Sequence, residues 1–197
     1  MITTNGMTTL AQVTKNLITD QTFNNLAILL NQASCVFDPV QGLGDAANTS
    51  SVIELLIGGF DAQLMTATLN FPSPTTAGTE NLGVFIGALR IGTGTENYLY
   101  ACADAGTARI QTIVAGTTTT LTSTPWSVAQ AVAMTISFQR VGTLLTANFS
   151  AASGPAPVQL QTNLSGTGLT LQHGGVMGAR SLAKAIWCTN FDGQQIQ

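Results

Sequence analysis

Carboxylates are the residues of this chain that could carry chemistry most directly. Two of them held about 5 to 9.5 Å apart hydrolyse a glycosidic bond, and several gathered on one loop ligate calcium. The nine acidic residues form neither pattern: Glu54, Glu80 and Glu96 stand isolated, and turn-rich segments separate Asp38, Asp45 and Asp61. An aspartate at a turn more often accepts hydrogen bonds from its own backbone, so no metal site is expected. The sole histidine, His173, lies beside Gly174 and Gly175 with no second His or Cys near it. It reads as a turn residue and supports no Ser-His-acid triad. Cys35, Cys102 and Cys188 are odd in number and widely spaced, which is neither a disulfide framework nor a zinc pattern. They read as buried thiols that pack as small apolar residues, with one disulfide and a spare thiol as the alternative. Gly92-Thr93-Gly94 and Gly166-Thr167-Gly168 lack the helix that a phosphate-binding glycine loop needs. The expectation is a chain with no catalytic set, no cofactor and no metal.

Aromatic side chains remain. Sugar binding without a metal uses exposed rings as platforms, and the candidates are Trp126, Tyr98 and Tyr100. Tyr98 and Tyr100 alternate on one strand face with Cys102, a spacing that also suits core. Trp126 follows Pro125 in a loop, which makes it the better glycan or partner contact of the three. Trp187, in line with Ala185 and Thr189, reads as core.

The elements that must position these side chains are strands. From residue 60 onward the apolar period is two, the mark of half-buried strands. Val132, Met134, Ile136 and Phe138 alternate with Ala133, Thr135, Ser137 and Gln139. The short connection through Gly142 leads to Leu145, Ala147 and Phe149, completing a hairpin. Met65, Ala67, Leu69 and Phe71 form another alternating set, which Pro72 and Pro74 end. Residues 82–91 are apolar on both faces, as a central strand covered on each side must be. Ile110, Thr112 and Val114 alternate with Arg109, Gln111 and Ile113, and the run 117–120 is all threonine, which favours extended chain. Turn residues recur about every ten positions, so the pattern argues for an antiparallel sandwich. The first 35 residues carry helical spacings at Leu10, Val13 and Leu17 and at Phe23, Leu26, Ala27 and Leu30. Threonines and Asn24-Asn25 weaken that signal, and helix, arm or strand stay open there. The division expected is an N-terminal arm over 1–19 and one sandwich domain over 20–197.

Several short segments carry a family likeness: Asp20-Gln21-Thr22-Phe23-Asn24-Asn25 near the start, Gly59-Phe60-Asp61-Ala62-Gln63-Leu64, Asn81 to Leu89, Arg140-Val141-Gly142-Thr143-Leu144-Leu145, and Trp187-Cys188-Thr189-Asn190-Phe191-Asp192-Gly193 near the end. Their order resembles concanavalin A-like, laminin-G-type jelly rolls over roughly residues 20–197. The resemblance implies an all-β, antiparallel two-sheet sandwich in which the early strand pairs beside the final one. Glycosidases of that fold usually carry Glu-x-Asp-x-x-Glu on one strand, and this chain has no such run.

Composition bears on partners. Only 8% of residues are charged, against about 25% in ordinary soluble domains. With six Lys and Arg and a net charge of −3, the chain cannot neutralise a phosphate backbone, so nucleic acid is not expected as a partner. The apolar run over 52–60 contains Glu54 and is far shorter than the ~20 residues that span a bilayer, so membrane insertion is not expected either. The opening residues lack a basic and apolar leader, which suggests synthesis in a cytoplasm. A polar, nearly uncharged coat loses little on being desolvated against a neighbour. These traits, which also look like those of many phage virion proteins, lead to a non-enzymatic structural subunit of a virus particle. The expected form is a bacteriophage capsid decoration or capsid-associated protein, residing in the virion and contacting capsid or tail subunits and itself. The alternative is a carbohydrate-binding adsorption module of a phage tail or secreted protein, with host-surface glycans as the partner.

Overall fold

Fifteen strands and no helix make up the described part of this computed structural model. It describes residues 12–16, 26–30, 35–38, 42–45, 51–55, 63–70, 81–89, 95–104, 106–129, 132–164, 176–182 and 187–195. In chain order the strands are β1 Gln12–Asn16, β2 Leu26–Leu30, β3 Cys35–Asp38, β4 Gly42–Asp45, β5 Ser51–Leu55, β6 Gln63–Asn70, β7 Asn81–Leu89, β8 Asn97–Ala103, β9 Thr107–Val114, β10 Thr117–Pro125, β11 Met134–Val141, β12 Leu144–Ala151, β13 Val158–Asn163, β14 Val176–Leu182 and β15 Trp187–Gln195. Each pairing among them is antiparallel. One sheet of eight strands runs β13-β12-β11-β6-β15-β4-β3, with β1 added on β15, and one of seven runs β10-β9-β8-β7-β14-β5-β2.

Alternation explains the layering. On β11 the inward set Met134, Ile136 and Phe138 is 0 to 1% exposed, while Thr135, Ser137 and Gln139 between them are half-buried. On β12, Leu145, Ala147 and Phe149 complete the same layer. The seven-stranded sheet answers with Leu82, Val84 and Ile86 from β7, Leu99 and Ala101 from β8, and Ile110 from β9. Burying a side chain of this kind contributes about 1.5 to 3 kcal/mol, and these two inward faces supply the core.

The turns follow local chemistry. Val141 pairs with Leu144 across a two-residue turn, and Gly142 takes φ +58°, a conformation that glycine adopts without steric cost. At the β9–β10 hairpin Ala115 takes φ +49° beside Gly116 at +77°, as a type I′ turn requires at both positions. The start of β8 holds that turn in place. Glu96 O accepts from Gly116 N–H at 3.1 Å, and Asn97 Oδ1 accepts from Ala115 N–H at 2.7 Å.

Two N-terminal segments that carry helical spacing are strands. Residues 12–16 pair with Asn190 to Gln194 of β15, and 26–30 pair with β5. Pairing with an existing strand satisfies alternate backbone groups of each segment, and this tertiary contact outweighs a weak helical period in a threonine-rich segment. The early segment expected beside the final strand, residues 20–25, lies outside the described residues, as do His173 and the side chains of Cys35 and Trp187. It is β1 that lies on β15.

Candidate functional site

The aromatic platform expected from the sequence is not at the surface. Trp126 is 2% exposed. Its indole N–H donates to Ala156 O at 3.0 Å, and its ring lies 5.7 Å from that of Phe149 at 56°. The expectation of an exposed Trp126 contact is therefore corrected, and the reason is topological. The chain leaves the seven-stranded sheet at Pro125 and enters the eight-stranded sheet at Met134, and the open end between the two layers must be sealed where it crosses. Trp126 and Val128 fill that end, together with Leu160 and Leu164. A loop position after proline does not reveal that the loop bridges two sheets.

Tyr98 and Tyr100 are 1% and 0% exposed, so they too offer no platform, and the core reading of their alternation holds. They lie, though, on the face of β8 turned away from the sandwich core, since Leu99, Ala101 and Ala103 are the residues that enter it. The two rings meet edge to face at 5.9 Å, and Phe85 meets Tyr98 at 5.7 Å. This is a second packed layer. Gly83 belongs to it: a Cβ there would lie 2.2 Å from Ala101 O.

A buried polar group borders that layer. Asp104 Oδ1 accepts from Gly106 N–H at 2.7 Å and Thr107 N–H at 2.8 Å, which closes the β8–β9 turn. Its Oδ2 takes Arg109 Nη2 at 2.5 Å, and Arg109 Nη1 donates to Asn81 Oδ1 at 2.8 Å. The guanidinium thus ties β9 to β7 across β8. Cys102 Sγ donates to Gln111 Oε1 at 3.4 Å, and Gln111 Nε2 donates to Thr120 Oγ1 at 3.0 Å. Burial pushes the Cys102 thiol up to about 12; Arg109 lowers it and Asp104 raises it, by smaller amounts. Cys188 in the core is likewise raised well above the ordinary thiol value by burial. Both are neutral at physiological pH and therefore poor nucleophiles, as expected of packing thiols. Among the described residues, no three His, Cys, Asp or Glu side chains gather as a metal site would need.

Among the described residues, an accessible polar surface lies on the outer face of the eight-stranded sheet. Register aligns Gln159, Asn148, Ser137, Thr66 and Asp192 in one row across β13, β12, β11, β6 and β15. The next row holds Gln161, Thr146, Gln139 and Leu64. Neighbours within the rows hydrogen-bond: Gln159 Nε2 donates to Asn148 Oδ1 at 2.7 Å and Gln161 Nε2 to Thr146 Oγ1 at 3.3 Å. Strands lie about 4.8 Å apart, and same-face residues recur about every 6.8 Å along each strand. The result is a grid of neutral donors and acceptors, interrupted by the apolar Leu64, with Asp192 as the single charge in these two rows. Sequence reasoning missed it, because each polar residue merely filled the solvent side of an alternation and only register shows that they line up.

No protein-family model and no curated protein matches the chain. Solved structures do. The carbohydrate-binding module CBM66 from Bacillus subtilis aligns with a TM-score of 0.64 at 9% identity, covering 85% of this chain and 93% of that one. The winged bean acidic lectin complexed with methyl-alpha-D-galactose aligns at 0.68 and 10% identity, over 96% of this chain and 100% of the lectin. The chain has a concanavalin A-like, lectin-type jelly-roll fold. A xylan beta-1,4-xylosidase from Bacillus halodurans C-125 also aligns, at 0.61 and 12% identity, over 92% of this chain but 39% of the enzyme.

Proposed function

We propose that this protein is a non-enzymatic, lectin-like binding domain for a neutral glycan, with the outer face of the eight-stranded sheet as its contact surface. The observation that carries this reading is the grid of amide and hydroxyl side chains on that face. Sugar hydroxyls are neutral and both donate and accept, so they complement such a grid, and each matched hydrogen bond contributes about 0.5 to 1.5 kcal/mol. Binding through rows of weak contacts favours an extended or repeating glycan over a single sugar. The fold shared with a carbohydrate-binding module and a lectin supports the reading. A glycan array probed with the wild type and with an Asn148→Ala, Gln159→Ala double variant tests it. Binding that the double variant loses is expected; silence of the wild type across neutral glycans would sink the idea. A polysaccharide-release assay on the bound glycan should yield no product.

A second reading, a structural subunit of a virus particle such as a bacteriophage capsid decoration protein, is favoured by the 8% charged content. It requires co-sedimentation with capsids, which a glycan-binding domain acting elsewhere would not show.

A further inference from the structure

Backbone groups at a sheet edge need partners as much as side chains do, and the five open strand edges among the described residues are treated differently. Unpaired edges are normally guarded by charge, proline, bulges or shortness. At one end of the seven-stranded sheet, β10 has a register break between Thr120 and Thr122 and finishes at Pro125. At its other end, β2 breaks register between Ile28 and Leu30. In the eight-stranded sheet, β3 has four residues and ends in Asp38, and β1, paired only with β15, carries Lys15. The remaining edge, β13, has none of these guards among the described residues. Its sequence Val-Gln-Leu-Gln-Thr-Asn is uncharged and free of proline, and all six residues keep one register with β12.

The hydrogen-bond phase of this edge can be read directly. Leu164 N–H donates to Thr143 O at 2.9 Å, one step beyond the Leu144–Asn163 pair. Hydrogen-bonded and non-bonded pairs alternate along an antiparallel ladder. The N–H and C=O groups of Val158, Leu160 and Thr162 therefore point at β12, and those of Gln159, Gln161 and Asn163 point to the open side. The side chains of these last three residues are exposed.

We propose that β13 pairs with β13 of a second copy of this chain about a two-fold axis perpendicular to the sheet, joining the two eight-stranded sheets edge to edge. Such an axis keeps inner faces inner, so only residues of equal parity can oppose one another. Placing Gln161 opposite Gln161 sets Gln159 opposite Asn163 twice, and all three pairs are of the hydrogen-bonded type, giving six backbone hydrogen bonds. Centring on Leu160 leaves only the Gln159–Gln161 pair, made twice, within β13 and so gives four, because Asn163 would then face Pro157, which lies outside the strand and has no N–H. A second copy fits this edge because it brings an identical uncharged strand, with no like charges to oppose across the axis. The polar row Gln139, Thr146, Gln161 would continue into Gln161, Thr146, Gln139 of the second copy, in one plane.

Sedimentation velocity over a concentration series is the test, and it does not depend on any glycan. The wild type should move from 20.4 kDa toward twice that mass as concentration rises, with the amides of Gln159, Gln161 and Asn163 becoming protected from hydrogen exchange in step. Gln161→Pro removes an N–H that β12 does not use, and should leave a folded monomer. Gln161→Lys keeps the backbone intact and sets two ammonium groups across the axis, so it should also be monomeric, most clearly at low salt. A wild type that stays monomeric at every concentration, or a dimer that survives in Gln161→Lys, would overturn the proposal.

Discussion

On the face of the seven-stranded sheet turned from the core, Phe85, Tyr98, Tyr100 and Cys102 are 0 to 1% exposed. On the matching face of the eight-stranded sheet, Asn148, Gln159 and Gln161 are exposed. Both faces alternate with the same core, yet one is a second interior and the other is open to solvent. The buried face carries large rings in edge-to-face contact and a satisfied Asp104–Arg109 pair, groups that gain from exclusion of water. The open face carries small neutral polar groups, which lose little whether wet or covered. Side-chain type thus assigns a role to each face beyond the common sandwich.

The contrast can be broken most forcefully at Tyr100. Tyr100→Ala should cost about 3 to 5 kcal/mol in denaturant unfolding, as large aromatic truncations in packed interiors do. A loss well under that range would mean the second layer is not a true interior. Next is Arg109→Ala, which removes the cation paired with the fully buried Asp104 carboxylate and should cost about 3 kcal/mol. Arg109→Lys should restore little, because a single ammonium lacks the fork that spans Asp104 and Asn81.

The buried thiol offers a smaller, pH-dependent effect. The folded Cys102 stays protonated up to about 12, whereas the unfolded thiol ionises at its ordinary value of 9.0. Between these values the unfolded chain binds fewer protons, so stability is complete below pH 9 and falls as pH rises. The slope from Cys102 is about 1.4 kcal/mol per pH unit. Unfolding free energy measured across that window should lose this component in Cys102→Ala.

The open face should respond least. Asn148→Ala is expected to change stability by no more than about 0.5 kcal/mol, while weakening retention on a bound glycan about five-fold, the equivalent of one hydrogen bond of about 1 kcal/mol. A large destabilisation with unchanged retention would reverse the roles given to the two faces.

Much of the fold was legible because alternation is a local signal. The hairpin of β11 and β12 was readable from Met134, Ile136, Phe138, Leu145 and Phe149, and the central place of β7 from its two apolar faces. The strands at 12–16 and 26–30 were not, since their pairing depends on partners far along the chain. Trp126 was misplaced for a related reason: its neighbours Pro125 and Ser127 look like surface loop, and its true surroundings come from Phe149 and Ala156. The candidate surface was invisible for want of register, which brings Gln159, Asn148 and Ser137 side by side only after three strands have paired.

The amino-acid order by itself determined that the chain forms two-faced antiparallel strands with an apolar layer and a neutral polar coat, because a period of two acts between immediate neighbours. Tertiary structure alone decided which aromatic rings are sealed inside, which polar residues share a row and which edge is left unguarded. Those outcomes depend on contacts between residues distant in sequence, and no local pattern carries that information.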